Sequence, residues 1–214
     1  MDKIVPDQSI QSTNPDFWDE LYNNQITRWD LGQVSPPLEA FINQWEDKTA
    51  RILIPGGGYS HEAKYLVNQQ FQSICILDLA PSLIRQLRIQ FAGNENVKVV
   101  EGNFFSHQGV YDLILEQTFF CACDPSLRES YADKMYELLA PGGHLAGVLF
   151  DREFELPGPP FGGSLQEYIT LFKDKFDIHK LEPCYNSFVS RQGTELFFHL
   201  IKKQTATGLP ETIS

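Results

Sequence analysis

Short apolar runs alternate with helical stretches between residues 51 and 151, and this alternation constrains the fold more than any other feature of the sequence. The runs are rich in β-branched residues, while the stretches between them carry apolar residues three and four positions apart. Such alternation is typical of a parallel sheet wrapped by crossover helices. The predicted strands are 51–55, 73–78, 97–101, 111–116 and 144–151, and the predicted helices are 62–70, 81–91 and 125–139.

The helix predicted at 125–139 has the clearest end signals. Asp124 is a suitable N-cap, and Pro125 suits the first helical position. The run Pro141-Gly142-Gly143 is expected to end the helix before the next strand begins.

Further elements are predicted on both sides of this unit. They are helices opened by Asn14-Pro15 and by Ser35-Pro36, a helix at 165–175, and strands at 176–182 and 195–202. We therefore expect an α/β fold with a seven-stranded, mostly parallel sheet, helices on both faces and a C-terminal antiparallel hairpin. Residues 13–203 are expected to form one domain, with 13–46 as an N-terminal cover and flexible ends at 1–12 and 204–214.

Charge, hydropathy and cysteine content exclude several classes of function. The 214 residues include 17 basic and 28 acidic ones, a net charge of −11, which opposes binding to nucleic-acid phosphates. No stretch approaches about 18 uninterrupted apolar residues, so we predict no membrane contact and a cytoplasmic location.

The four cysteines do not suggest a disulfide framework. Cys121 and Cys123 have no second pair at metal-ligand spacing, so no metal site is predicted.

A ligand site is predicted where the first two strands end. The first strand runs into Pro55-Gly56-Gly57-Gly58 and then a helix, so this glycine-rich turn lies at the carboxyl edge of the sheet. The second strand ends at Asp78, the usual place for a carboxylate that accepts the hydroxyls of an adenosine ribose. Two structural alternatives remain: tight strand–helix packing at the glycines, and capping of the following helix by Asp78.

Nicotinamide and S-adenosylmethionine enzymes share these two features, and further residues favour the second. The third glycine of a G-x-G-x-x-G turn is replaced by His61, which disfavours a pyrophosphate ligand. The strand at 111–116 and the block at 138–145 look like the fourth- and fifth-strand signatures of class I S-adenosylmethionine-dependent methyltransferases. The resemblance implies a Rossmann-like fold.

More specific motifs occur along the chain. They are Phe17-Trp18, Arg28-Trp29-Asp30-Leu31-Gly32-Gln33, Ile54-Pro55-Gly56, Phe119-Phe120-Cys121-Ala122, Gly158-Pro159-Pro160-Phe161 and Arg191-Gln192-Gly193. With these motifs the chain resembles the thiopurine S-methyltransferase family over residues 14–203. Within that family it is most similar to the plant-type halide and thiol methyltransferases.

The resemblance implies which residues bind S-adenosylmethionine, with S-adenosylhomocysteine as the product. Aromatic residues of the N-terminal segment cover the cofactor, Asp78 binds the ribose, and Asn103 and Phe104 meet the adenine. Apart from the resemblance, Glu116 is an acid at a strand end and is predicted to lie near the methionine ammonium, with a solvated helix cap as the alternative. The full predicted set is Trp18, Tyr22, Trp29, Gly56, Gly58, Asp78, Asn103, Phe104, Glu116 and Gln117.

Physical chemistry agrees with an aromatic cover. Trp18 and Tyr22 are four positions apart and therefore share a helix face. Aromatic faces attract a sulfonium cation by roughly 0.5 to 2 kcal/mol. Ordinary core packing of the two rings is the alternative.

The acceptor pocket is predicted to be apolar and to hold a small molecule. Its expected walls are Phe119, Phe150, Pro160 and Phe161, with 157–163 as a lid. A thiol of pKa about 8.5 ionises partly without help, so no obligatory catalytic base is named. We expect methylation of a thiol or hydrosulfide, with halide, thiocyanate and thiopurine as further acceptors.

Two departures from the plant-type pattern affect the choice of acceptor. Phe150 and Gln117 stand where the plant halide enzymes have tyrosines, which weakens the halide assignment. Two other functions stay open: a carboxyl or amine methyltransferase, and a noncatalytic binding module. A monomer or weak homodimer is expected.

Overall fold

A computed structural model describes residues 11–204 and contains a seven-stranded sheet in the order β3-β2-β1-β4-β5-β7-β6. Strands β1 to β5 pair in parallel, while β7 runs antiparallel to both β5 and β6. The predicted mostly parallel sheet and its C-terminal antiparallel hairpin are therefore confirmed. The strands are β1 (Arg51–Pro55), β2 (Ser73–Asp78), β3 (Val97–Glu101), β4 (Tyr111–Gln117), β5 (Leu139–Phe150), β6 (Phe176–Pro183) and β7 (Glu195–Lys202).

Helices cover both faces of the sheet. They are α1 (Pro15–Asn23), α2 (Pro36–Ile42), α3 (His61–Asn68), α4 (Pro81–Gln90), α5 (Arg128–Leu138) and α6 (Leu165–Phe172). Helices α2, α3 and α4 pack on one face, against side chains such as Ile52 and Ile54. Helices α5 and α6 pack on the other face, where Leu53 points. Successive strand residues point to opposite faces, so β1 contributes to both cores.

The two N-terminal helices begin where the sequence predicts. Asn14 caps α1, because its side-chain oxygen accepts from the N–H of Asp16 at 2.9 Å. Helix α2 begins at Pro36, after Ser35, whose N–H donates to the buried side chain of Glu62 at 3.4 Å. The second contact ties the N-terminal segment to the start of α3.

The boundary between α5 and β5 differs from the prediction. Asp124 does form a cap, but the turn Pro125–Leu127 is a 3₁₀ turn, and the α-helix starts at Arg128. The helix ends at Leu138, and Leu139 already belongs to β5, which runs through Pro141-Gly142-Gly143. Gly142 has φ +71°, and the β4–β5 register shifts here. The glycines therefore form an irregularity inside the strand rather than the end of a helix.

The remaining observations concern the two ends of the chain and the length of its helices. Most of the predicted flexible ends, 1–10 and 205–214, lies outside the described residues. Residues 11, 12 and 204 are described, and residues 11 and 12 are helical. Within the described residues, no helix has the length and apolar character needed to cross a membrane.

Candidate functional site

A large cavity opens at the carboxyl ends of β1, β2 and β4. Its volume is about 1020 Å³. The chain order reverses between β1 and β4, so the cavity lies at the switch point where open α/β sheets bind ligands. Pockets for drug-sized ligands span about 300 to 1,000 Å³, so this cavity has room for a cofactor together with a second small molecule.

The glycine-rich turn forms one edge of this cavity. Gly56 and Gly58 have φ +55° and +52°, in the left-handed region that favours glycine. A Cβ on Gly56 would lie 2.3 Å from Cδ2 of Phe119. Gly56 lines the cavity, whereas Gly58 contributes its N–H to Asp78 behind it. The turn therefore needs glycine at position 56 for both its backbone conformation and its close contact with Phe119.

Asp78 lies at the end of β2, where the sequence predicts a ribose ligand. Its Oδ2 accepts from the N–H of Gly58 at 3.1 Å and its Oδ1 from the N–H of Ala80 at 3.0 Å. Burial raises the pKa of this carboxyl group, and the two backbone hydrogen bonds act in the opposite direction. Each oxygen keeps a lone pair for a further donor, and the side chain lines the cavity.

Three aromatic residues of the N-terminal segment face the cavity. Trp29 makes edge contacts with both Trp18 and Tyr22, each with 5.6 Å between ring centroids. All three line the cavity, and Nε1 of Trp18 donates to the carbonyl of Ser12 at 3.0 Å. Burial raises the pKa of Tyr22, and the nearby charge of Asp78 raises it further. The structure thus brings the predicted cover residues together beside the predicted ribose ligand.

Two polar contacts hold the loop that carries Trp29. The carboxylate of Asp30 lies 2.8 Å from Nε2 of His61 at the start of α3. The guanidinium of Arg191 donates to the carbonyl of Trp29 at 2.7 Å. The loop is thereby attached both to the glycine-rich turn and to the C-terminal hairpin.

The predicted adenine residues follow β3. The Oδ1 of Asn103 accepts from the N–H of Phe105 at 2.8 Å and so caps a short 3₁₀ turn that starts at Phe104. Asn103 and Phe104 both line the cavity, and the ring of Phe104 is packed edge-on against Phe119.

Glu116, predicted to meet the methionine ammonium, lies at the end of β4 and outside the cavity lining. Its side chain is fully buried beneath the cavity, and Oε1 accepts from the N–H groups of Phe119 and Phe120 at 2.7 and 2.8 Å. Burial raises the pKa of Glu116 to about 7. Between these residues Thr118 has φ +58°, so Glu116 holds a sharp turn that carries the aromatic wall.

Gln117, at this strand end, is partly exposed, but its side-chain amide is buried. Its Oε1 and Nε2 find no hydrogen-bond partner among residues 11–204, and the residue lies outside the cavity lining. Buried amides are normally hydrogen-bonded, so both atoms are available to a bound molecule or to water.

The predicted acceptor residues only partly meet in the cavity. Phe119, Phe150 and Pro160 line it. Phe161 lies outside the lining and packs on Gly158, and its N–H donates to the carbonyl of Cys121 at 2.7 Å. Phe161 therefore anchors the segment 157–163 to the wall formed after β4.

Arginines at this end of the cavity were not identified as site residues from the sequence. Arg191 is buried, donates to Oε1 of Glu195 at 3.4 Å and lies 5.6 Å from the ring centroid of Phe150. Arg28 and Arg152 also line the cavity and are exposed at its rim. The signals in the sequence were the motifs that begin at Arg28 and at Arg191, whereas no motif contained Arg152.

Apart from the arginines, few titratable side chains line the cavity. Among the described residues, neither histidine nor lysine lines the cavity, and its acids are Asp78 and Glu155. Cys121 and Cys123 also line it, and their thiols donate to the carbonyls of Thr118 and Phe119. Burial raises the pKa of both thiols, that of Cys123 to about 12. Within the described part of the chain, no group of three or more His, Cys, Asp or Glu residues is arranged to hold a metal ion.

Known proteins resemble this chain in sequence and in fold. The family model for thiopurine S-methyltransferase matches residues 13–204. A protein named thiocyanate methyltransferase 1 from Brassica oleracea is 25% identical over 205 residues, covering 91% of this chain and 90% of the relative. A probable thiol methyltransferase 2 from Arabidopsis thaliana is 28% identical over 156 residues, covering 71% of this chain and 69% of the relative.

A solved structure shows the same fold. The 1,6-didemethyltoxoflavin-N1-methyltransferase of Burkholderia thailandensis, crystallised with S-adenosylhomocysteine, superposes with a TM-score of 0.70. The match covers 95% of this chain and 94% of that one, at 17% identity. With the family match over nearly all of the described residues, these findings assign the class I methyltransferase fold and S-adenosylmethionine as cofactor. The chain belongs to the thiopurine S-methyltransferase family of S-adenosylmethionine-dependent enzymes.

Proposed function

We propose that this enzyme transfers the methyl group of S-adenosylmethionine to a small, soft nucleophile, above all a thiol or hydrosulfide. Halide, thiocyanate and thiopurine are further acceptors of the same chemical kind. The thiol and thiocyanate methyltransferases among its relatives support this class of acceptor.

The residues of the cavity fit the cofactor. The free lone pairs of Asp78 suit the two ribose hydroxyls, and the second lone pair of Asn103 Oδ1 suits the adenine amino group. Phe104 offers a ring to the adenine. Trp18 and Tyr22 offer aromatic surface to the sulfonium cation.

One observation carries the choice of acceptor: the cavity lining within residues 11–204 has neither histidine nor lysine, and Asp78 is its one buried carboxylate. A nucleophile of high pKa needs a positioned base, and a thiol does not, because it ionises near neutral pH. Arg28, Arg152 and Arg191 also line the cavity, and Arg191 is paired with Glu195. The two exposed guanidinium groups of Arg28 and Arg152 can attract an anionic acceptor such as a thiolate.

The bound cofactor supplies an electrophilic methyl group on a sulfonium. The protein's part is positioning and exclusion of water: Phe119 and Phe150 leave an anion poorly solvated in the cavity. Holding nucleophile, methyl carbon and leaving sulfur in line accounts for most of the rate. Segment 157–163 acts as the lid over the acceptor, and 13–46 covers the cofactor.

The experiment compares acceptors of matched size. Benzenethiol, phenol, aniline and benzoate are each incubated with the enzyme and labelled S-adenosylmethionine, alongside hydrosulfide, iodide, thiocyanate and a thiopurine. The thiol is expected to react fastest, with a rate that rises with pH up to the thiol's own pKa. Turnover of aniline or benzoate without turnover of any thiol would overturn the proposal in favour of an amine or carboxyl methyltransferase.

Location and assembly belong to the same proposal. All four cysteines are free and buried, which agrees with a reducing compartment, and we propose a cytoplasmic enzyme. We also propose a monomer or weak homodimer, to be tested by sedimentation at two protein concentrations.

A further inference from the structure

Helix α4 begins beside the cavity without a side-chain cap from its own segment. Ala80 occupies its N-cap position and has no side-chain oxygen. The N–H of Ser82, in the first turn, donates instead to Oδ1 of Asp19 on α1 at 2.6 Å. First-turn N–H groups have no partner within their own helix. A side chain 63 positions earlier therefore supplies the cap.

Asp19 is held in place by its surroundings. Nδ2 of Asn23, one turn along α1, donates to its Oδ2 at 3.0 Å. Hydrogen bonding from Ser82 is the main cause that lowers the pKa of Asp19, and the charge of Arg85 acts in the same direction. The carboxylate is therefore ionised at neutral pH, and a negative charge near a helix N-terminus is favourable.

The contact joins two sides of the cofactor pocket. Asp19 directly follows Trp18 and precedes Tyr22 by three positions, and both of those rings line the cavity. Ser82 lies in the first turn of α4, four positions after Asp78, the proposed ribose ligand. The bond between Asp19 and Ser82 therefore fixes the aromatic side of α1 relative to the carboxylate at the end of β2.

We propose that Asp19 is a positioning residue that docks α1 over the cofactor by capping α4. This inference rests on the proposed role of residues 13–46 as the cofactor cover. Asp19 itself lies outside the cavity lining, so it acts through Trp18 and Tyr22. Its loss should weaken cofactor binding and leave the methyl-transfer step unchanged.

The test uses three variants of the full chain. Asp19→Ala removes the cap, and Asp19→Asn keeps an oxygen acceptor without the charge. Glu20→Ala is the matched control, because Glu20 is an exposed acid on the same helix. Binding of S-adenosylhomocysteine is measured by calorimetry, and the folded state of each variant is checked by circular dichroism.

We expect Asp19→Ala to raise the Kd for S-adenosylhomocysteine about three- to thirtyfold, which is the stability that a helix loses with its cap, converted to a ratio for a loss that falls on the cofactor-bound state. Asp19→Asn should lie between Asp19→Ala and the wild type, and Glu20→Ala should equal the wild type. In turnover, the KM for S-adenosylmethionine should rise in Asp19→Ala while kcat stays within about twofold, a split that a general loss of structure would not give.

Trypsin provides a second measurement, because Arg28 is exposed in the cover. S-adenosylhomocysteine should slow cleavage after Arg28 in the wild type and in Glu20→Ala, and much less in Asp19→Ala. If Asp19→Ala and the wild type bind S-adenosylhomocysteine equally well and are equally protected from trypsin, the role of Asp19 is overturned, while the proposed function still holds. Equal weakening by Glu20→Ala would also overturn the role of Asp19, because charge would then be the cause. A wild-type protein that binds no S-adenosylhomocysteine would overturn the proposed function as well.

Discussion

The two ends of the cavity are built in different ways. The cofactor end uses consecutive strand–helix turns, where Gly56 follows β1, Asp78 ends the neighbouring strand β2, and Asp78 accepts from the N–H of Gly58. The acceptor end is assembled from the turn after β4, the segment 150–160 and the end of the hairpin near Arg191. Local chain geometry thus determines the strand ends that meet the cofactor, whereas long-range packing determines the acceptor end and the position of the cofactor cover.

This difference explains what each end can tolerate. At the cofactor end, backbone conformation and buried hydrogen bonds leave little freedom, so substitutions there should be costly. At the acceptor end, apolar rings and rim arginines can be exchanged while the sheet stays intact, so substitutions there should change preference more than stability.

Gly56→Ala should have the largest effect, because Gly56 is where the two ends touch. A left-handed φ costs a non-glycine residue about 1 to 2 kcal/mol, and overpacking against Phe119 adds about 1 to 3 kcal/mol. We expect most cofactor affinity and activity to be lost. Gly93→Ala is the control: φ there is +79°, with no atom within 4 Å of the added Cβ. If Gly93→Ala and Gly56→Ala lower stability and affinity equally, the contact with Phe119 is unimportant.

Glu116→Gln should change how stability depends on pH. The folded pKa of Glu116, about 7, lies above its ordinary value of 4.5, so its stabilising contribution is complete below pH 4.5 and is lost as pH rises through 7. The ionised form therefore destabilises the protein at pH 8, by on the order of 3 kcal/mol. Glutamine keeps an acceptor for Phe119 and Phe120 without this charge.

Urea unfolding of wild type and Glu116→Gln at pH 5 and pH 8 measures this effect. The variant should gain stability relative to the wild type between the two pH values. The exposed Glu20→Gln is the control and should show a constant difference. A constant difference for Glu116→Gln as well would mean that Glu116 does not titrate in this range.

Asp78→Ala should weaken cofactor binding by about 1 to 3 kcal/mol, because two hydroxyls and the N–H of Gly58 would lose their acceptor. Asp78→Asn should lose less, since one oxygen remains. Calorimetry with S-adenosylhomocysteine on folded variants measures both. Unchanged affinity in Asp78→Ala would remove the ribose role and leave Asp78 as a support for the turn.

The contrast between the ends also explains which features the sequence reveals. The parallel sheet, Gly56 and Asp78 follow from local patterns, since the end of a strand defines the edge of the sheet. The direction of the Glu116 side chain depends on the turn that it caps. The spacing of residues in the sequence does not predict that turn. Arg191 reaches the cavity only because β5 and β7 pair antiparallel, with Phe150 opposite Glu195.

The boundary between α5 and β5 is a similar case. Pro141-Gly142-Gly143 reads locally as a helix stop, yet the strand already starts at Leu139, where Tyr111 of β4 is its partner. The carbonyl of Leu139 also accepts from Nζ of Lys202 at 2.7 Å. Pairing across the sheet therefore overrides the local signal.

Phe150→Tyr should have the smallest effect on binding energy but should reveal most about the acceptor end. It adds the hydroxyl that the resemblance to the plant-type halide enzymes predicts at this position, in a wall that Phe154 packs against edge-on at 5.0 Å. One added hydrogen-bond donor to an anion contributes about 1 kcal/mol, or roughly fivefold in kcat/KM. Cofactor affinity should stay unchanged, because Phe150 lies at the other end of the cavity from Asp78.

The measurement is the ratio of kcat/KM for thiocyanate or iodide to that for benzenethiol. Phe150→Tyr should raise this ratio a few-fold, and Phe154→Tyr, which adds a hydroxyl elsewhere in the same cavity, should leave it near the wild-type value. An equal rise in both variants would indicate that general polarity, rather than a placed donor, selects the anion. A fall in cofactor affinity in Phe150→Tyr would show that the two ends are coupled and that the contrast between them does not hold.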